Sequence, residues 1–581
     1  MRLWRNLFVF LVVCFLCDGA RAAQIVRANT DLRVVQIEFH SMLDVAPSHG
    51  FIPVRISVNN RLDRAAAWQF EFRSGQQTGE MNHFAHAVGI RLEAGESRIV
   101  EVMAPVYPVP ASHSWPALSV TMSGPGLESE RARLYSGGHH STRSGAFLAM
   151  TSSVANRNKS AVEQQSGRAG GHGVGQVATL YLNALSEDVR GFSGVDVLLM
   201  TAEEWADLEG GQRYVLTQWI ARGGHLFLVD ESGGNLPRGL RGDAPSAGPV
   251  PIGWGTAQMF GESAGGILEP DTLLREVGKA LALTPQTQDM NFTSRDWALR
   301  REIRDLHRPA GLIMTTVIAV AALLGPVNVM VASRRKRPVQ LLWVTPLLSV
   351  GLSLLMMLVI LLYDGVGGQG ARSLTVFLLP EHNLEVIRQE QVSRTGVLLT
   401  RDMRLPRGTE VRMLNVEGVN PHHFGGFVSG RFELSGEDLW RGNWFSSRAI
   451  QGQSLQLSRP NRAQLALYAG ADGTPPELLS SLDAPLKTVF VQDFEGNHWR
   501  AGPVRPGNRV RLEPATERDA EQFERRLTLR TGERVSPARG NGTFLAEADP
   551  EDDAFLATLG GIRWENHAVR YTGFLVRGGG Q

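Results

Sequence analysis

Apolar and polar positions change rhythm several times along this chain, and each rhythm predicts a different kind of element. Between Gln24 and about Tyr135 the period is two. The stretch Phe51-Ile52-Pro53-Val54-Arg55-Ile56-Ser57-Val58-Asn59-Asn60 alternates and ends on a turn pair. Trp68 to Phe72, Ala87 to Leu92 and Ser97 to Val102 read as further short strands. Their spacing predicts an immunoglobulin-like β-sandwich over residues 23–140. From Ser136 to Gly175 the chain turns polar and Gly/Ser-rich, interrupted by the apolar Ala146 to Met150, which reads as the first strand of the next domain. Val195 to Met200 is a buried strand. Gln212 to Arg222 carries Val215, Leu216, Trp219 and Ile220 on one helical face; Gly223 is its expected cap, and His225 to Val229 is a second buried strand. Strand, helix and strand predict a parallel sheet covered by helices over residues 141–308.

Two longer runs, Ala310 to Ser333 and Leu341 to Tyr363, hold no charged side chain. At about 23 residues each they match a hydrocarbon core of roughly 30 Å. Arg334, Arg335, Lys336 and Arg337 lie between them, which predicts a membrane hairpin over 309–363 with a cytoplasmic loop. In the first span Gly325 and Pro326 permit close approach or a kink, and Asn328 can hydrogen-bond across the hairpin. Residues 364–581 show mostly strand patterns: Leu374 to Leu379, Gly396 to Thr400, Glu410 to Val416, Gln464 to Tyr468 and Lys487 to Gln492. Asp552 to Leu559 looks helical.

Length and charge narrow this further. A chain of 581 residues holds about three or four domains. The net charge of +1, with no basic block beyond the run at Arg334–Arg337, gives no sign of a nucleic-acid partner. Arg2, Arg5, the apolar Leu7 to Cys17 and Ala20-Arg21-Ala22 form an expected secretory signal over residues 1–22. Cys14 and Cys17 both lie inside it, so thiol catalysis and cysteine-ligated metals leave the expected chemistry. Signal and hairpin together predict an inner-membrane protein with periplasmic N- and C-terminal domains.

One stretch raises a catalytic question. In GGHLFLVDESGG a buried strand runs into a turn bearing Ser232. The G-x-S-x-G elbow is missed because Asp230 stands where its first glycine belongs, and loop residues rather than a helix follow. A partner histidine would have to be His172, His225 or His307. The stretch therefore reads as a polar turn, with Asp230, Glu231 and Ser232 rimming a ligand crevice at the carboxyl end of a parallel strand. His139-His140 and His422-His423 read as loop histidines, and Glu203-Glu204 as a solvated face or a helix start. No catalytic residue, metal or cofactor is expected.

Two passages carry a resemblance. VDVLLMTAEEWADL and QRYVLTQWIARGGHLFLVD resemble the class I glutamine amidotransferase-like fold, without its cysteine nucleophile. LLGPVNVMVASRRKRPVQLLWVTPLLS, with its Gly-Pro-x-Asn element and Trp343 to Pro346, is similar to a family of bacterial inner-membrane and envelope proteins. The resemblance implies a multidomain α+β membrane protein: a β-sandwich, a degenerate flavodoxin-like α/β domain, two transmembrane helices and a mostly-β C-terminal region. The expected function is a non-enzymatic scaffold or accessory subunit of an envelope complex, with the membrane and envelope proteins as partners. Two alternatives are an accessory subunit of an ABC-type transport system and a periplasmic serine hydrolase using Ser232.

Overall fold

The computed structural model describes residues 24–27, 31, 33–75, 83–106, 117–135, 145–168, 173–230, 235–241, 248–261, 266–283, 297–303, 310–334, 341–414, 416, 431–435, 438–470, 474–531 and 540–579. The expected signal segment lies outside them.

The alternating N-terminal rhythm folds as β1 (Gln24–Arg27), β2 (Val35–Ser41), β3 (Phe51–Asn60), β4 (Ala66–Gly75), β5 (His83–Leu92), β6 (Ser97–Pro105), β7 (Ala117–Gly124) and β8 (Leu127–Tyr135). In β2, Val35, Ile37, Phe39 and Ser41 are buried while the residues between them are half-buried, which is the two-residue period of a strand with one face on a core. Phe39 packs edge-on against Phe70, with ring centroids 6.2 Å apart, between two sheets. One sheet has the order β1-β2-β3-β6. The other contains β5, β4, β7 and β8 and is extended by three strands from much later in the chain: β17 (Met403–Arg404), β19 (Arg431–Ser435) and β20 (Leu439–Gly442). β19 lies parallel to β5, from Arg431 opposite His83 to Ser435 opposite Ala87. The sandwich is thus not completed by the N-terminal residues alone.

The α/β unit comprises β9 (Ala146–Thr151), β10 (Val174–Leu180), β11 (Val197–Thr201), β12 (His225–Asp230), β13 (Val250–Ile252) and β14 (Gly255–Gly261). The order is β10-β9-β11-β12-β14-β13, parallel except for β13. Its strands are buried on both faces, as a helix-covered parallel sheet requires. Leu148, Met150, Leu199 and Phe227 face the helices Ser152–Arg168 and Pro270–Leu283. Phe147, Ala149, Leu198 and Leu226 face the helix Gly210–Ala221. The Gly223-Gly224 pair has a steric cause. Gly223 takes a φ of 119°, and a Cβ on Gly224 would lie 2.2 Å from the Trp219 ring. With that space clear, Trp219 donates from Nε1 to the Val195 carbonyl at 2.9 Å and pins the helix to the sheet.

The C-terminal region is built on β15 (Gly368–Leu379), β16 (Leu384–Thr395), β18 (Glu410–Leu414), β21 (Ile450–Pro460), β24 (Leu486–Gln492), β25 (His498–Ala501), β27 (Glu513–Pro514), β28 (Thr543–Ala548) and β29 (Ile562–Phe574). They form one sheet, ordered β18-β21-β16-β15-β29-β28-β24-β25-β27. Phe377, Leu379, Leu384 and Val386 of this sheet share a core with the helix Gly210–Ala221. Among the described residues strands hold 46% and helices 26%, so the molecule is mostly β and the expected α+β membrane-protein class is corrected.

The hairpin expectation is corrected with it. The first apolar run breaks into the helix Ala310–Ala322, a π-turn at Leu323–Val327 and the helix Asn328–Arg334. Pro326 sits inside that turn, where its missing N–H and its ring disrupt the i→i−4 ladder. The second run forms the helix Leu341–Asp364, with Pro346 inside it; its side chains from 358 to 364 lie outside the described residues. Among the described residues no helix is long and apolar enough to cross a membrane. The expected two spans and inner-membrane placement fall on that finding. Gly325 and Pro326 belong to the π-turn and Asn328 opens the next helix. Arg334 closes that helix, and Arg335, Lys336 and Arg337 lie outside the described residues.

Candidate functional site

In an open α/β sheet the ligand crevice lies beyond the carboxyl ends of the strands, where the strand order reverses. Here the reversal falls between β9 and β11, since β10 flanks one side and β12 the other. β9 ends at Thr151 and runs straight into the helix Ser152–Arg168; β11 ends at Thr201 and runs straight into the helix Ala202–Asp207. Two helix N-termini and three hydroxyls therefore converge at one point. Such a point favours a negative charge.

The charge found there is the chain's own. Thr151 donates from Oγ1 to Glu204 Oε2 and Ser153 from Oγ to Glu204 Oε1, each at 2.6 Å. The Thr201 backbone N–H also donates to Oε2, at 2.9 Å. In return the Glu204 N–H donates to Thr201 Oγ1 at 3.1 Å, closing a capping box. Glu204 thus starts a helix and fills the switch point with its carboxylate. Thr151 is fully buried beneath it.

Of the expected rim, Asp230 alone is among the described residues. Asp230 ends β12, opposite Gly261 of β14 and away from the reversal. Glu231 and Ser232 lie outside the described residues, as do His172, His307, His139, His140, His422 and His423. His225 is described and does not suit a partner for Ser232. It begins the strand that Asp230 ends, roughly 16 Å away at ~3.3 Å per residue. It is fully buried, its Nδ1 is 2.8 Å from Thr256 Oγ1, and burial lowers its pKa to about 4. Among the described residues no group of three His, Cys, Asp or Glu side chains could hold a metal.

The amino end of the same sheet carries a second polar cluster. Arg190, almost fully buried, grips Asp188 with Nη2 at 2.6 Å and Nε at 3.0 Å. Burial pushes the Asp188 carboxyl up, but the bonds and charge of Arg190 outweigh it and the net direction is down. Arg222 closes the helix Gly210–Ala221. It donates from Nε and Nη2 to Ser458 Oγ, at 3.0 and 2.8 Å, and from Nη2 to the Gly408 carbonyl at 3.1 Å. Ser458 in turn donates to Gln218 Oε1 at 3.0 Å. Burial first, against the pull of Glu410 and Asp188, lowers Arg222 to about 10. The sequence signalled none of these links, because Arg222 and Ser458 meet only in the folded chain.

No family model matches the chain, and no curated protein matches it. Several solved structures show a weak likeness. The β-glucuronidase 2 of Bacteroides uniformis is 8% identical over 38% of this chain and 24% of its own, with a TM-score of 0.14. The exo-chitosanase of Amycolatopsis orientalis is 14% identical over 34% of this chain and 28% of its own, with a TM-score of 0.17. The β-D-mannosidase of Dictyoglomus thermophilum is 9% identical over 87% and 76%, with a TM-score of 0.19. The chain spans about a quarter of the length of the first two. At these scores the likenesses carry no argument about fold or function, and nothing among them supports the amidotransferase resemblance.

Proposed function

We propose that this chain is a non-enzymatic scaffold or accessory subunit of a multiprotein complex. The observation that carries this reading is Glu204. The point where an open α/β sheet receives its ligand is filled by a carboxylate held by two hydroxyls and a backbone N–H of the same chain. The rest of the α/β unit serves cohesion. One helix of it is packed against the nine-stranded sheet, and residues 42–44 of the N-terminal region run along the β10 edge. There Tyr181 N–H donates to the Met42 carbonyl at 2.9 Å and Asp44 N–H to the Thr179 carbonyl at 3.1 Å. Lys159 adds an ion pair to Asp44 at 2.5 Å. An α/β unit fastened on both sides suits a body that holds β surfaces in fixed relation.

Quantitative crosslinking of the full chain in its native extract tests the reading. The expected result is a partner recovered in constant stoichiometry. A serine-directed fluorophosphonate probe that labels the wild type but not Ser232→Ala would overturn it in favour of a hydrolase.

A further inference from the structure

Among the described residues β6 is an edge strand: its sheet continues through β3 on one side and has no strand on the other. The register shows which backbone groups face that open side. Asn60 N–H donates to the Glu96 carbonyl at 2.9 Å and Val106 N–H to the Gly50 carbonyl at 2.8 Å, so the pairs Asn60–Glu96 and Gly50–Val106 are the hydrogen-bonded kind. Hydrogen-bonded and open pairs alternate along an antiparallel ladder. With Ile56 opposite Val100 and Ser57 opposite Ile99, Arg98, Val100 and Val102 bond to β3. Ser97, Ile99, Glu101 and Met103 turn their N–H and C=O outward. The far half of this edge is closed by the other sheet. The His86 ring Nδ1 lies 2.7 Å from the Met103 carbonyl, and Ser74 Oγ donates to the Pro105 carbonyl at 2.7 Å. The near half, Ser97 to Glu101, is the open part, and the Ile99 side chain there is 69% exposed.

That open half borders a cleft of about 600 Å³ between the N-terminal sheet, the α/β unit and the C-terminal sheet. Most of its charges are matched within the fold. Arg55 Nε donates to Glu101 Oε2 at 3.1 Å, and Ser186 Oγ donates to Glu101 Oε1 at 2.7 Å. Asp188 is held by Arg190, and Arg407 of the cleft lining is also engaged. Glu187 is the exception. It is exposed at the cleft and has no ion pair among the described residues.

We infer that the β6 edge at Ser97–Glu101 receives an extended peptide segment of a partner chain as an added strand. That segment sets an apolar side chain on Ile99 and a basic one beside Glu187. Main-chain bonds to Ile99 and Glu101 would supply the affinity, and the two side-chain contacts the choice of partner. This rests on the scaffold reading and names the chemistry by which the scaffold would recognise its partner. An exposed isoleucine on an unpaired edge is otherwise an aggregation hazard, which an incoming strand removes.

The test uses the full chain and a dye-labelled seven-residue probe of alternating Thr and Val with one Lys. Fluorescence anisotropy should show saturable binding, weakened about tenfold when Glu replaces the Lys and abolished when alternate amides are N-methylated. Ile99→Pro should lose binding with a melting temperature within about 3 °C of wild type, because the N–H it removes does not bond to β3. Glu187→Lys alters an exposed side chain and should reverse the preference to the Glu probe. Equal binding of both probes, binding retained by Ile99→Pro, or no saturable binding overturns the inference. If the crosslinked partner is retained by Ile99→Pro, the edge assignment fails while the scaffold reading stands. If the wild type yields no stoichiometric partner, the scaffold reading itself fails.

Discussion

At the carboxyl end of the parallel sheet, the groups that hold Glu204 are Thr201, Ser153 and Thr151, which lie 3, 51 and 53 residues away. At the amino end, Arg222 reaches 236 residues along the chain to Ser458 and 186 to Gly408. Both ends bury polar groups, and Arg222 is left with an unpartnered Nη1, yet the carboxyl end closes on itself while the amino end joins separate parts of the molecule. Where the partners lie in sequence therefore decides what a polar cluster does. Local partners finish a unit, and distant ones assemble units.

Measured stabilities should separate the two ends. The largest effect belongs to Arg190→Met, which leaves the largely buried Asp188 carboxylate, 16% exposed, without its cation. About 4 kcal/mol of unfolding free energy should be lost in urea titration, and a loss near zero would show that this pair, two residues apart, contributes nothing to the amino-end cluster. Next comes acid. His225 is held near 4 by burial against an ordinary 6.5. Its folded form therefore binds fewer protons than its unfolded form at intermediate pH. Stability is full above pH 6.5 and falls as pH drops towards 4, by on the order of 3 kcal/mol. The lowered Asp188 acts in the same direction at lower pH. Thermal melts of His225→Gln should show a flatter slope between pH 6.5 and 4.

Glu204→Ala should cost about 2 kcal/mol, from a lost cap and the stranded Thr151 hydroxyl. Its effect should add to that of Ser458→Ala within about 0.5 kcal/mol. The smallest loss is expected from Arg222→Met, about 1 kcal/mol, because no directly bonded carboxylate is left behind. Arg222→Met and Ser458→Ala should nevertheless couple in a double-mutant cycle. Additivity there, or coupling between Glu204 and Ser458, would erase the distinction between the two ends.

Much of the local structure was legible in the sequence. Val215, Leu216, Trp219 and Ile220 are buried on one helix face, and β12 begins at His225 as the Gly-Gly stop predicts. The helix Ser152–Arg168 was hidden, because within a polar stretch Val154, Ala155 and Val162 are the apolar residues that anchor it. β16 was hidden for a related reason: Gln389, Gln391 and Ser393 are fully buried, which no hydropathy pattern announces. The amides satisfy one another, Gln389 Nε2 donating to Gln391 Oε1 at 3.0 Å and Gln391 Nε2 to Gln453 Oε1 at 3.2 Å. The switch point was hidden because strand order, not strand identity, sets it. The pairing of β9 with β11 is a long-range fact. Glu204 could have been found from Thr201-Ala202-Glu203-Glu204, a capping-box spelling directly after an apolar run.

The crossing of late strands into early sheets bears on how the chain is made. β5 lacks its β19 neighbour until residue 435 has been synthesised, and β15 lacks β29 until residue 574. A ribosome adding about 5–20 residues each second leaves the β5 edge exposed for tens of seconds and the β15 edge for a comparable time. The β5 edge of the N-terminal sandwich therefore waits for the C-terminal half of the chain, and the two unpaired edges are where protection during synthesis is needed.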